Sequence, residues 1–224
     1  MKLKTPPTLS LIAGPNGSGK TYFSNYLIEL GFIKTKPINL DFIDVDVYEK
    51  LTGNVYNHDQ QISKVKHQLF INSCKSAISN REDFTYECNL RMSQIKPVAL
   101  FDEASYNLNL FFFYMPNITR CKERVKIRVE NKGHNVDDTS IKYNFEKSLQ
   151  NLDASFYDWN QLIIFDNSID FVDEKAELGI NILLIANNGE ILYCSENFPQ
   201  TPIKGYLKKI SIECAKWKDE KKLE

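Results

Sequence analysis

The chain is short of several things, and each shortage narrows what it can be. No apolar stretch among its 224 residues approaches the length of a membrane-spanning helix, and the opening Met-Lys-Leu-Lys-Thr-Pro-Pro carries no apolar signal segment. A soluble protein with no membrane association is expected. The five cysteines, Cys74, Cys88, Cys121, Cys194 and Cys214, show no close-spaced metal-binding pattern, and their odd number does not make a complete disulfide framework. A reduced, cytoplasmic protein fits best. Neither sign of charge is in excess, the formal net charge being −1, so composition gives no reason for tight binding to duplex nucleic acid. Small-molecule substrates are favoured. There is no internal repeat and no low-complexity segment, and the length suits one α/β domain spanning residues 1–224.

Against these absences stands one dense motif. Gly14-Pro-Asn-Gly-Ser-Gly-Lys20-Thr21 fits G-x-x-x-x-G-K-[ST], directly after the apolar run Leu9–Ala13 and directly before the helix-like Tyr22–Leu30. That is the strand–loop–helix context a phosphate-binding loop requires. Gly14, Gly17 and Gly19 let the backbone turn tightly and bring its N–H groups to phosphate oxygens, with Pro15, Asn16 and Ser18 completing the cradle. Lys20 can reach the β- and γ-phosphates as a point charge, and the Thr21 hydroxyl is placed to ligate magnesium. ATP or GTP with Mg2+ is the implied ligand. The chain has neither an N-K-x-D guanine-reading segment nor the signature loop of a transporter ATPase.

Strand-like runs at Leu9–Ala13, Ile38–Ile43, Phe84–Glu87, Leu108–Met115 and Leu162–Phe165 alternate with helical patterns. This rhythm predicts a mostly parallel sheet flanked by helices, with ligands beyond the carboxyl ends of the strands. The stretch from about 118 to 155 reads as two helices broken at Asn131-Lys-Gly-His-Asn135, too long for a simple crossover, and is expected to be a lid over the nucleotide. Beyond it, over about 180–224, Asn188-Gly189 between two apolar runs predicts a β-hairpin, and Gly205–Lys221 a charged helix that docks on the domain.

Residues at the strand ends carry the candidate chemistry. A carboxylate beside a phosphate loop can orient and deprotonate an attacking hydroxyl, and Asp41 is the candidate base. A helix cap or turn residue is its structural alternative, and Asp44 and Asp46 lie close enough to take the role. Glu87, Asn89 and Arg91 alternate behind the third strand and are read as substrate contacts, Glu87 having a half-buried salt-bridge partner as its alternative. Arg120, Arg124 and Arg128 fall at i, i+4 and i+8 on one helical face. Arg124 and Arg128, next to the Gly-containing break, are candidates to stabilise charge on a transferring phosphoryl group, whereas Arg120 is read as part of a solvated stripe. Asp166 ends an apolar run but lies on the last core strand, so a structural or adenine-edge role is expected of it.

Taken in order, these segments resemble the zeta-toxin-like P-loop kinases, whose best-known members are UDP-N-acetylglucosamine kinases. The resemblance rests on Ala13–Thr21, Ile38-Asn-Leu-Asp41, Glu87-Cys-Asn-Leu-Arg91, the lid-like Glu123–Val136, Ser148–Leu152 and Asp166-Asn-Ser168. It implies a P-loop kinase fold, ATP and Mg2+, and transfer of a γ-phosphoryl group to a hydroxyl. By the same resemblance Asp41 is the base, Lys20 and Thr21 meet triphosphate and magnesium, and Glu87, Asn89 and Arg91 meet a small-molecule acceptor such as a nucleotide sugar. Arg124 and Arg128 then lie near the phosphates, and an antitoxin-like protein partner is implied. Two departures stand out. Lys142-Tyr-Asn144 replaces the expected second-lid arginines, and Cys88 and Asn89 stand where the family's segment has Gly and Thr. A nucleoside, alcohol or polynucleotide-end kinase, or a nucleotide-binding regulator without turnover, is the competing reading.

Overall fold

The computed structural model describes residues 5–39, 59–168, 181–196, 198–199 and 203–222. Its strands are β1 (Thr8–Ala13), β2 (Ile38–Asn39), β3 (Phe84–Cys88), β4 (Asn107–Tyr114), β5 (Gln161–Asp166), β6 (Asn181–Asn187) and β7 (Glu190–Cys194). They form one sheet in the order β2-β3-β1-β4-β5-β6-β7. The first five positions are parallel, and β6 and β7 add an antiparallel edge. The described helices are α1 (Lys20–Glu29), α2 (Asp59–Asn80), α3 (Met92–Ile95), α4 (Val98–Glu103), α5 (Ile118–Glu130), α6 (Asp138–Ala154) and α7 (Lys208–Lys221). No helix among the described residues is long and apolar enough to cross a membrane.

Strand β4 explains why helices cover both faces. Its side chains alternate across the sheet, yet Leu110, Phe111, Phe112 and Phe113 are all fully buried, the pattern of a central parallel strand with no wet side. Phe111 and Phe113 pack on one face with Phe23 and Leu27 of α1. Phe23 stacks on Phe113 with ring centroids 5.3 Å apart. Leu110 and Phe112 join the larger cluster on the opposite face, with Phe70 of α2 and Phe145 and Leu149 of α6.

Parallel register then fixes where the chemistry sits. Ala13 aligns with Cys88 on one side and Phe112 on the other, so the loop that starts at Gly14 emerges beside the segment that follows Cys88. Asn39 aligns with Glu87. The strand expected over Ile38–Ile43 is described only at Ile38–Asn39, and Asp41, Asp44 and Asp46 lie outside the described residues.

The segment expected as a lid, 118–155, is two helices with different surroundings. Helix α5 starts at Asn117, whose side chain accepts from the Arg120 N–H at 2.9 Å, and α6 starts at Asp137, which caps Ser140 in the same way at 2.9 Å. Helix α5 buries only Cys121 and Val125, whereas α6 buries Ile141, Phe145, Leu149 and Leu152 and so contributes more of the larger core cluster.

The hairpin forms at Asn188 and Gly189, both at positive φ (48° and 80°), as a two-residue turn with the right-handed twist of its strands demands. The C-terminal helix begins at Lys208, three residues later than the expected Gly205, after a 3-10 turn at Ile203–Gly205. Its own sequence offers no side-chain cap. Asp153 of α6 supplies one instead, its Oδ1 accepting from the Ile210 N–H at 3.0 Å, a non-local cap that sequence spacing does not reveal.

Candidate functional site

The phosphate loop closes a cavity of about 340 Å³ at the carboxyl end of the sheet, within the range of small-ligand sites. Helix α1 starts from Gly19 in the left-handed conformation (φ 82°, ψ 11°), and no side chain caps it, so its first-turn N–H groups face the loop as anion donors. The glycines are required by contact as well as by φ. A Cβ on Gly14 would come 2.5 Å from the Phe113 carbonyl oxygen, and one on Gly17 would come 2.7 Å from the Cys121 carbonyl oxygen of α5. At Gly19 it would collide with the Asn167 side-chain nitrogen.

Lys20 is 8 % exposed, and its Nζ donates to the Gly14 carbonyl (2.8 Å), the Pro15 carbonyl (3.0 Å) and Asn89 Oδ1 (3.1 Å). The ammonium therefore sits across the mouth of its own loop and touches the segment after β3. Thr21 Oγ1 donates to the Glu87 carboxylate, at 2.9 and 3.0 Å from its two oxygens. Asn39 Nδ2 donates to Glu87 Oε1 at 3.1 Å, as the β2–β3 register requires. Cys88 lines the cavity, and burial pushes its thiol from 9.0 up to about 11, so it stays protonated at neutral pH and is no nucleophile.

Two amides lock the loop from a distance. Asn144 Nδ2 of α6 donates to Asn16 Oδ1 at 2.6 Å, both residues being buried. Asn167, just past β5, donates from Nδ2 to the Ser18 carbonyl at 2.7 Å. Its own carbonyl accepts from Arg124 Nη1 at 2.7 Å, which ties α5 to the phosphate loop through a single residue. Arg124 and Arg128 of α5, with His134 from the break, line the same cavity as Thr21 and Glu87. Arg120 instead pairs with Glu123 at 3.1 Å.

A family model described as Zeta toxin matches residues 2–177. The chain belongs to the zeta-toxin family. Among solved structures, its fold is similar to the AvrRxo1-ORF1:AvrRxo1-ORF2 complex with sulphate ions, at 15% identity and a TM-score of 0.58 over 86% of this chain and 61% of that one. The same pair solved with ATP matches at 15% identity and TM-score 0.55, over 83% of this chain and 60% of that one. The PezAT chromosomal toxin-antitoxin system of the human pathogen Streptococcus pneumoniae matches at 14% identity and TM-score 0.52, over 93% of this chain and 79% of that one. No curated protein sequence matches significantly.

In this family member the structure brings together Asn16, Gly17, Gly19, Lys20, Thr21, Glu87, Asn89, Arg124 and Arg128 around one cavity. Arg91 does not line it, and lies instead on a neighbouring cavity across Gln94. Lys142 is exposed on α6 and lines neither cavity, while Asn144, two residues on, reaches the loop. Asp166 closes the turn after β5, its Oδ1 accepting from the Ser168 N–H at 2.8 Å. Sequence reasoning passed over Asn39, Gln94, His134 and the positioning residue Asn167. The one local signal was a polar residue directly at a strand's carboxyl end, which marks Asn39 and Asn167.

Proposed function

We propose that this protein is an ATP-dependent kinase that transfers a γ-phosphoryl group to a hydroxyl of a small acceptor, a nucleotide sugar such as UDP-N-acetylglucosamine. The observation that carries the reading is the convergence of Lys20 and Thr21 from the phosphate loop with Glu87 and Asn89 from the end of β3, joined by direct hydrogen bonds in one cavity. The groups proposed to hold nucleotide and acceptor thereby share one cavity, which supports in-line transfer.

In the proposed mechanism the loop N–H groups and Lys20 hold the triphosphate. The Asp41 carboxylate, which follows β2 in sequence, takes the proton of the attacking hydroxyl. Glu87 and Asn89 orient the acceptor, and Arg124 and Arg128 approach from α5 to meet charge spread over the equatorial oxygens. The Thr21 hydroxyl and Glu87 carboxylate are hard oxygen donors suited to Mg2+, which is held largely by the substrate's own phosphates in sites of this kind. When bound, the ion neutralises the β- and γ-oxygens. A cytoplasmic setting belongs with this reading, since the five cysteines are free. So does a protein partner of antitoxin type, supported by the similarity to PezAT.

One observation favours a second reading. Lys142, the residue in the place of a lid arginine, is exposed and away from the cavity, and Arg124 Nη1 is engaged by Asn167. A nucleotide-binding regulator with little turnover fits that arrangement. The deciding experiment incubates purified protein with ATP, magnesium and a panel of UDP-sugars, nucleosides, alcohols and oligonucleotides, with mass spectrometry watching for an added phosphate. A phosphorylated UDP-N-acetylhexosamine supports the kinase; ATP binding with no phosphorylated acceptor supports the regulator.

A further inference from the structure

The phosphate loop occupies the carboxyl end of the sheet; a separate cavity, of about 290 Å³, opens toward the amino end. Ser10 lines it, four residues before Gly14, or about 13 Å along an extended strand. Side chains alternate along a strand, so Ser10, Asn109 and Gln161 share the face of Ile12, Phe111 and Ile163, the face on which α1 packs. Register then lines the polar residues up. Thr85 is beside Ser10, Ser10 beside Asn109, and Asn109 beside Gln161, so that four neighbouring strands present a polar side chain at one level. All four line the cavity. At the next level of the same face, β1, β4 and β5 present only Ile12, Phe111 and Ile163.

Most of this polarity has no use inside the fold. Ser10 and Thr85 are each only 3% exposed. Thr85 shares a hydrogen bond with the Thr35 hydroxyl at 2.7 Å, but Ser10, Asn109 and Gln161 make no side-chain hydrogen bond among the described residues. A hydroxyl withdrawn from bulk water and given no protein partner looks to the cavity for one. Successive strands hold these groups about 4.8 Å apart. That is close to the separation of the 1,3-related equatorial hydroxyls of a pyranose ring, so one sugar can meet neighbouring strands at once.

We propose that this cavity binds a neutral monosaccharide, at a second ligand site remote from the phosphate loop and independent of the kinase reading. The Asn109 and Gln161 carboxamides both donate and accept, which matches hydroxyls of either direction, and Ser10 takes a third. Phe32 lines the cavity and offers apolar surface to the C–H face of the ring. Lys34 and Asp83, also in the lining, pair with each other at 3.2 Å, so neither an anion nor a cation is favoured. A nucleobase asks for a slot between two flat faces, and Phe32 is the one aromatic side chain in the lining among the described residues.

The test is saturation-transfer NMR on the full chain, titrated with D-glucose, D-galactose, D-mannose and N-acetylglucosamine, with and without magnesium and a non-hydrolysable ATP analogue. One of these sugars is expected to bind in the millimolar range, with or without the analogue. Its affinity should fall about tenfold in Asn109→Leu and in Gln161→Leu, each of which removes the hydrogen bonds of one carboxamide. Urea midpoints of both variants should equal or exceed that of the wild type, because an apolar group of similar shape replaces one that folding leaves unpaired, and affinity for the ATP analogue should be retained. A wild type that binds none of the four sugars, or binding indifferent to both variants, overturns the site. Displacement of the sugar by the analogue moves it to the phosphate-loop cavity and overturns the claim of a second site. Uracil or adenine binding in place of sugar overturns the ligand class. A lowered urea midpoint in both variants shows the polar row to be structural and overturns the proposal as well.

Discussion

The two halves of the cavity are built differently. The phosphate side is a contiguous octapeptide, Gly14–Thr21, whose shape is locked by neutral amides from far along the chain: Asn144 on Asn16, and Asn167 on the Ser18 carbonyl. The side proposed to take the acceptor is a short set of charged and polar groups at the end of β3, Glu87 and Asn89, followed by a single left-handed residue, Leu90. A cradle fixed by neutral contacts keeps its geometry whatever charge enters it. A rim of charges on a short loop can change its ligand by substitution without disturbing the cradle, which is where Cys88 and Asn89 depart from the family segment. On the proposed reading, nucleotide and acceptor are thus held by separate structural devices.

The largest effects are expected from the groups proposed to act on the reacting atoms, and they test whether the halves work as one site. Asp41→Asn is expected to lower kcat by about 10²–10⁴-fold while leaving ATP affinity nearly intact. Unchanged turnover removes Asp41 from the mechanism. Lys20→Ala is expected to cost about 10²–10³ in kcat and to weaken nucleotide binding as well. Because Lys20 Nζ also contacts Asn89, acceptor KM should rise in the same variant, and a purely nucleotide-side effect would separate the two halves.

Next come the glycines of the cradle. Gly19→Ala places a side chain at φ 82° and against the Asn167 amide, and is expected to cost about 1–3 kcal/mol in stability by urea unfolding. Its nucleotide affinity should fall in parallel. An alanine here that keeps both would show that the loop adapts and that the cradle is not rigid.

The halves also differ in how legible they are in the sequence. The octapeptide carries its own signature because every residue that shapes it is local, and β4 announces a buried central strand by its run of three phenylalanines. The alternation of strands and helices gave the parallel sheet and the hairpin for the same reason: periodicity and turn chemistry are short-range. What escaped is long-range. Asn167 and Asn144 act on a loop some 150 and 130 residues away, at the two hydrogen bonds whose partners are separated by 149 and 128 positions. The start of α7 shifted for a like reason, its cap coming from Asp153.

A smaller effect sharpens the claim that the cradle is locked from outside. Asn144→Ala leaves the Asn16 amide without its buried partner and is expected to cost about 1 kcal/mol or somewhat more. ATP KM should rise with acceptor KM unchanged, measured with each substrate varied in turn. An equal rise in both would mean that α6 supports the acceptor half as well, by way of Asn151 and Leu90.

The smallest effect is electrostatic and separates the halves by pH. Burial raises the Cys88 thiol on the acceptor side from 9.0 to about 11 and that of Cys121, packed behind Gly17, from 9.0 to about 12. Above pH 9 the unfolded chain releases these protons while the folded chain keeps them, so the unfolded state binds fewer protons and stability falls as pH rises. The contribution is complete below pH 9 and is lost first at Cys88, as pH passes about 11, and then at Cys121, near 12. Urea midpoints measured from pH 8 upward should therefore decline, and Cys88→Ala should flatten the part of the decline below about 11 while leaving the part beyond it. A slope indifferent to Cys88 would mean that its thiol is more open to water than its burial implies, and the acceptor half would then be the looser of the two.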